Sequence, residues 1–134
     1  MKNRRAGSAL IEFAASLILI SGLFTGIFQF SYALTTYQAL VNAVRSGARY
    51  ASLQVPGPEL AQSVRNVVVF GDPVPSASAK PVAPGLTPAN VDLILEPATA
   101  TVSIRGFELA SIFSTIKLDG RPTVTFPLTR PASK

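Results

Sequence analysis

The sequence predicts an α+β protein in which a long N-terminal transmembrane helix continues into a small domain with a second helix and a three- to four-stranded antiparallel sheet. Three observations predict it. No Lys, Arg, Asp or Glu occurs between Glu12 and Arg45. Apolar residues then keep a helical period as far as Leu53, with no proline before Pro56. Beyond that point, short alternating runs are separated by Gly, Pro and Asp-Gly signals.

The apolar segment decides the class. From Ala9 to Leu34 it is dominated by Leu, Ile, Phe, Ala and Gly, and about 20 such residues cross the hydrocarbon core as a helix. Lys2, Arg4 and Arg5 lie directly before it, where positive charge holds a terminus in the cytoplasm. The domain after Leu34 is therefore expected on the far side of the membrane. Leu34, Tyr37, Val41, Val44, Ala48 and Ala51 recur in steps of three and four and mark one face of a continuing helix. Thr35, Gln38, Asn42, Arg45, Arg49 and Ser52 form a polar stripe beside it. Arg45 and Arg49 read as a solvated face, with pairing to acids of a neighbour as the sharper alternative.

Pro56-Gly57-Pro58 ends this helix, and Pro58 is suited to open a second. Leu60, Ala61, Val64, Val67 and Val68 share one side of the second helix, and Gly71 is placed to stop it. Residues 72–84 are rich in Pro, Ser and Ala and read as an extended loop. Thr87-Pro88 caps a brief helical turn, and residues 91–96 read as a strand. Residues 99–109 give the clearest alternation, with Gly106 marking a bulge. Asp119-Gly120 is a turn signal between residues 116–118 and a last strand at 123–128. The apolar face of the sheet needs a cover, and the extramembrane part of the long helix is available. The organisation expected is a basic leader at 1–7, a transmembrane helix at 8–34, its extramembrane continuation at 35–55 and a small α+β extracytoplasmic domain at 56–134.

Composition narrows the function classes. The chain has 134 residues, twelve Lys and Arg, seven Asp and Glu, and no Cys or His. Without Cys an exported domain has no disulfide staples and depends on packing. Without His the commonest metal ligand and general base is missing, and no nucleophile, base or metal ligands cluster. Asp92, Glu96, Glu108 and Asp119 are spread over different elements, which argues against a calcium site. No enzyme activity, metal or cofactor is expected.

The informative stretch is Arg4-Arg5-Ala6-Gly7-Ser8-Ala9-Leu10-Ile11-Glu12-Phe13. Glu12 is its anomaly. An ionised, unpaired carboxylate at the start of a membrane helix costs on the order of a few kcal/mol. One reason for it is generic: an acid in the first turn meets the positive end of the helix dipole. The other is specific. A cut between Gly7 and Ser8 creates an α-amino group four residues before Glu12, and Glu12 of one subunit could pair with that amine on a neighbour and set their register. The same cut removes Lys2, Arg4 and Arg5, leaving nine cations against seven acids. These are scattered, so no basic patch for nucleic acid remains. Within the span, Gly22-Leu23-Phe24-Thr25-Gly26 is a small-x-x-x-small motif through which helices can approach closely.

This arrangement resembles the prepilins of the type IV pilin superfamily, in which an aspartic prepilin peptidase cuts after Gly on the cytoplasmic side and leaves an acid at mature position five. It is more closely similar to TadE-like pseudopilins of the tight-adherence (Flp) pilus system. Those begin basic-Gly-Ser-Ala-x-x-Glu-Phe and continue into an apolar helix, Gly-x-x-x-Phe, and a segment like residues 43–51. Gly26-Ile27-Phe28-Gln29-Phe30 and Ala43-Val44-Arg45-Ser46-Gly47-Ala48-Arg49-Tyr50-Ala51 both fit. The resemblance covers about residues 4–53 and implies processing at Gly7 and Ser8, with Glu12 and Phe13 acting in assembly and register. It also implies a pilin-like fold and placement in the bacterial inner membrane. The implied partners are prepilin peptidase, other pilins or pseudopilins, and pilus assembly proteins. Two features depart from the pattern: residues 16–21 lack a midway proline, and the mature chain would begin with Ser8, not the Phe typical of type IVa pilins.

Three duller readings stand beside this one. Gly7 and Glu12 could be incidental in a plain membrane anchor. Ser31-Tyr32-Ala33 could be a signal-peptidase site, although the apolar region is long for a signal peptide and runs on into helix. The chain could also be a bitopic membrane-anchored extracytoplasmic binding domain that does not assemble.

Overall fold

The computed structural model describes residues 3–110 and 115–129. Met1 and Lys2 of the expected leader, and residues 111–114 and 130–134 of the expected domain, lie outside the described residues. The chain divides into two units, residues 1–34 and 35–134. One helix, α1, runs Asn3–Leu53, as the charge-free stretch and the absence of proline require.

Unit 1 contains the membrane-length part of α1. Its most apolar 18-residue window is not buried at all, leaving side chains such as Leu10, Ile18, Leu19 and Phe28 exposed. Such a surface matches hydrocarbon better than water. Ser16 Oγ donates to the Glu12 carbonyl and Thr25 Oγ to the Ser21 carbonyl, each at 2.8 Å. Hydroxyls facing an apolar medium are satisfied within the helix by such bonds.

In unit 2 the helical face that enters the core is Leu40, Ala43, Val44, Gly47, Ala48 and Ala51. The expected stripe is correct from Val44 onward, but Leu34 and Tyr37 are exposed and Leu40 and Ala43 take their place. The reason is packing: the buried face centres on Gly47, where a Cβ would overlap Val68 Cγ2. The second helix, α2, spans Leu60–Phe70, starting two residues after Pro58. Pro58 and Glu59 instead form a turn, closed by Leu60 N–H donating to Gly57 O at 3.1 Å. Gly71 ends α2 in the left-handed conformation, φ 78°, its N–H donating to Val67 O at 2.9 Å. Only glycine adopts that conformation without a steric penalty.

The loop after α2 is fastened to it. Asn66 Nδ2 donates to Pro73 O at 3.0 Å, and Val82 N–H to Val69 O at 2.8 Å. A 3₁₀ turn follows at Pro88–Asn90, with Asn90 Oδ1 accepting from Thr87 N–H (3.1 Å) and Thr87 Oγ (2.7 Å).

Five strands follow among the described residues: β1 Val91–Leu95, β2 Thr99–Ile104, β3 Phe107–Ala110, β4 Thr115–Leu118 and β5 Thr123–Pro127. They form a three-stranded antiparallel sheet in the order β1-β2-β5 and a two-stranded β3-β4 ribbon. The single strand expected over 99–109 is thus two, because Gly106 at φ 60° carries the chain out of the first sheet. The Asp119-Gly120 turn links β4 in one sheet to β5 in the other, where the sequence suggested a simple hairpin.

Register places Val91, Leu93, Ala100, Val102, Ile104, Val124 and Phe126 on one side of the sheet. That side shares a core with Leu40, Val44 and Ala48 of α1 and Val64 and Val68 of α2. The sheet is therefore covered by both helices, not by α1 alone. Each fully buried Val, Leu or Ile contributes about 1.5–3 kcal/mol.

Asn90 fastens the strand break. Its Nδ2 donates to the carbonyls of Arg105 and Gly106 at 3.2 and 3.1 Å, while Arg105 N–H donates to Asn90 O at 2.8 Å. Asn90→Ala is expected to cost about 1–3 kcal/mol. Urea unfolding of the full chain in detergent would show a lower midpoint at unchanged slope.

Candidate functional site

The residues singled out by the sequence all lie on α1 in unit 1. Gly7, Ser8, Glu12 and Phe13 are exposed. A Cβ added at Gly7, Gly22 or Gly26 would meet nothing within 4 Å, so these glycines leave the helix surface locally shallow, open to a neighbour's close approach. Gly22 and Gly26 are one turn apart on the same face. Gly7 and Glu12 are five residues apart along the helix, and the described residues give Glu12 no cationic partner.

The intact helix changes one reading. α1 starts at Asn3 and has no acid in its first turn. Glu12 lies more than two turns in, and the helix dipole acts within the first turn. The generic reason for Glu12 is therefore weak in the uncut chain. Removal of residues 1–7 would bring Glu12 to the fifth position from a new terminus.

The acids of the domain do not converge. Asp92 pairs with Arg105 and Glu108 with Lys117, each at 3.3 Å and well exposed, so each contributes at most about 1 kcal/mol. No group of three or more His, Cys, Asp or Glu comes together among the described residues.

One feature of unit 2 was not visible in the sequence. An open cleft of about 430 Å³ lies between Tyr37, Val41 and Arg45 of α1 and residues 120–124 before and within β5. It brings together Arg45 and Arg121, and neither has a carboxylate partner among the described residues. The sequence signals were present separately, as Arg45 on the polar stripe and a turn at Asp119-Gly120. Nothing local joins two segments so far apart in the chain.

Fold and site together define a class: a chain with one N-terminal helix long and apolar enough to cross a membrane, followed by a small α+β domain. Residues 7–49 match the family model described as TadE-like protein. Over that segment the chain is similar to TadE-like proteins, and the match begins at Gly7. No curated protein and no solved structure matches the chain.

Proposed function

We propose that this chain is a minor pilin or pseudopilin that takes part in assembling a tight-adherence (Flp, type IVb-like) pilus or secretion apparatus after prepilin peptidase cuts between Gly7 and Ser8. The observation that carries the proposal is the TadE-like segment. It starts at the glycine of the cleavage pattern and contains, five residues on, a carboxylate with no cationic partner among the described residues, in the exposed, membrane-length apolar part of α1.

The protein acts by packing and catalyses nothing. Its N-terminus is cytoplasmic before the cut, and the helix of residues 8–34 is held in the inner membrane with the domain outside. Pilins or pseudopilins and the assembly machinery contact the apolar surface, closely at Gly22 and Gly26. Glu12 and Phe13 set the register, with the Glu12 carboxylate meeting the Ser8 amine of a neighbour. A buried pair of this kind contributes more to register than to net stability.

N-terminal sequencing of the protein from membranes tests the proposal. Ser8 is the expected first residue. Met1 would indicate an uncut anchor carrying a binding domain, and Leu34 a secreted protein released by signal peptidase; either result overturns the prepilin reading.

A further inference from the structure

We propose that the cleft between α1 and β5 is the socket of a head-to-tail contact between copies of this chain, and that the plug is the turn after α2, with Asp72 and Val74 entering it. This inference rests on the assembling function proposed above and adds a site to it. The socket is lined by Arg45 and Arg121, neither paired with a carboxylate among the described residues, together with Tyr37, Val41 and Pro122. An occupant that fits must carry an acid beside an apolar group.

The turn after α2 has that chemistry. Asp72 is exposed and no cation pairs with it among the described residues. Two residues on, Val74 is 80% exposed, the most exposed large apolar residue of the domain among the described residues. The turn is also held in shape. Asp72 Oδ1 accepts from Val74 N–H at 2.9 Å, leaving the other carboxylate oxygen for an incoming guanidinium, and Asn66 holds Pro73 O at 3.0 Å. A preformed turn loses less entropy on docking than a mobile one.

The socket wall and the contact with α2 lie on different faces of α1. α2 meets α1 at Gly47, and Val41, at the centre of the socket wall, is about 120° around the helix from Gly47 at 3.6 residues per turn. In the proposed contact the turn that follows α2 comes from a second copy. Two different patches that complement each other make a heterologous contact, which propagates from copy to copy. Opposite charge on the two patches sets the partner and its orientation.

The chain has no cysteine, so disulfide trapping is specific. Full-length V41C and V74C chains, co-expressed and oxidised in membranes, are expected to give a mixed cross-linked dimer at least ~tenfold above the yield of either variant alone, because a disulfide needs Cβ atoms about 3.8 Å apart. Adding R45E and R121E to the V41C chain should cut that yield about tenfold, and adding D72R to the V74C chain should restore it. Thermal melting of each variant checks that the domain still folds. The contact is overturned by absence of the mixed dimer, by equal dimer from one variant alone, or by a yield indifferent to charge reversal. Absence of the dimer among chains that start at Ser8 and assemble overturns this contact and leaves the pilin reading standing; absence together with a Met1 terminus overturns both.

Discussion

Glu12→Ala is expected to leave cleavage after Gly7 intact and to reduce incorporation of the chain into assemblies about a hundredfold. Its neighbours Leu10, Ile11 and Phe13 are all exposed, so packing against another helix would bury the carboxylate among apolar side chains. Removing one partner of a buried ion pair costs about 3–5 kcal/mol, and each 1.4 kcal/mol is a factor of ten. In the proposed pair the loss would strand the Ser8 amine of the neighbour. The amount of processed chain in sheared filaments, compared with membranes, measures the effect. Glu12→Gln separates charge from shape: it keeps the volume and a hydrogen bond, and should recover only part of the loss. Normal incorporation of Glu12→Ala would remove the pairing mechanism.

The second large effect is expected at Gly47. Alanine is favoured over glycine in a helix by about 1 kcal/mol, which would argue for stabilisation. The position decides otherwise, because the added Cβ would overlap Val68 Cγ2, and Val68 is fully buried and, being β-branched, stiff at χ1. Overpacking costs about 1–3 kcal/mol for a single group, and more for a larger side chain. Gly47→Ala should therefore lower the melting temperature by a few degrees, and Gly47→Leu should abolish a cooperative transition. In Gly47→Ala combined with Val68→Ala, part of the loss should return, with a coupling of about 0.5–3 kcal/mol. Thermal melts of the full chain in detergent followed by circular dichroism would measure it. Additive losses would mean that the close approach of α1 and α2 does not limit this site.

Much of the fold was legible because its signals are local. The gap in charge from Glu12 to Arg45 gives α1, Gly71 gives the end of α2, and Thr87-Pro88 gives the short turn before β1. Gly7 and Glu12 stand out in the same way, as residue types that need a reason at their positions.

What was not legible depends on residues far apart in sequence. Val102 and Ile104 fall on even positions and Phe107 and Leu109 on odd ones, and a slip of one residue at Gly106 reads as a bulge within one strand, so the pattern does not show that Gly106 at positive φ divides them between two sheets. Asp119-Gly120 has the composition of a hairpin turn, but β3 and β2 capture the strands on its two sides. The buried face of α1 is rotated toward Leu40 because Gly47 lets α2 approach, and a glycine gives no hydrophobic signal. The cleft joins Arg45 to Arg121 only after β5 has paired with β2.

The last bond of the domain has a consequence for timing. Thr129 N–H donates to Ser52 O at 3.2 Å, and β5, the final strand, pairs with β2. Until a nascent chain has delivered its C-terminal residues, β2 keeps an open edge and the valines and leucines of α1 are only partly covered. Non-local pairing of this kind is slow, because loop closure precedes its reward. The domain therefore matures only once β5 has been synthesised, and a truncated product missing β5 would present an unpaired edge to chaperones and proteases.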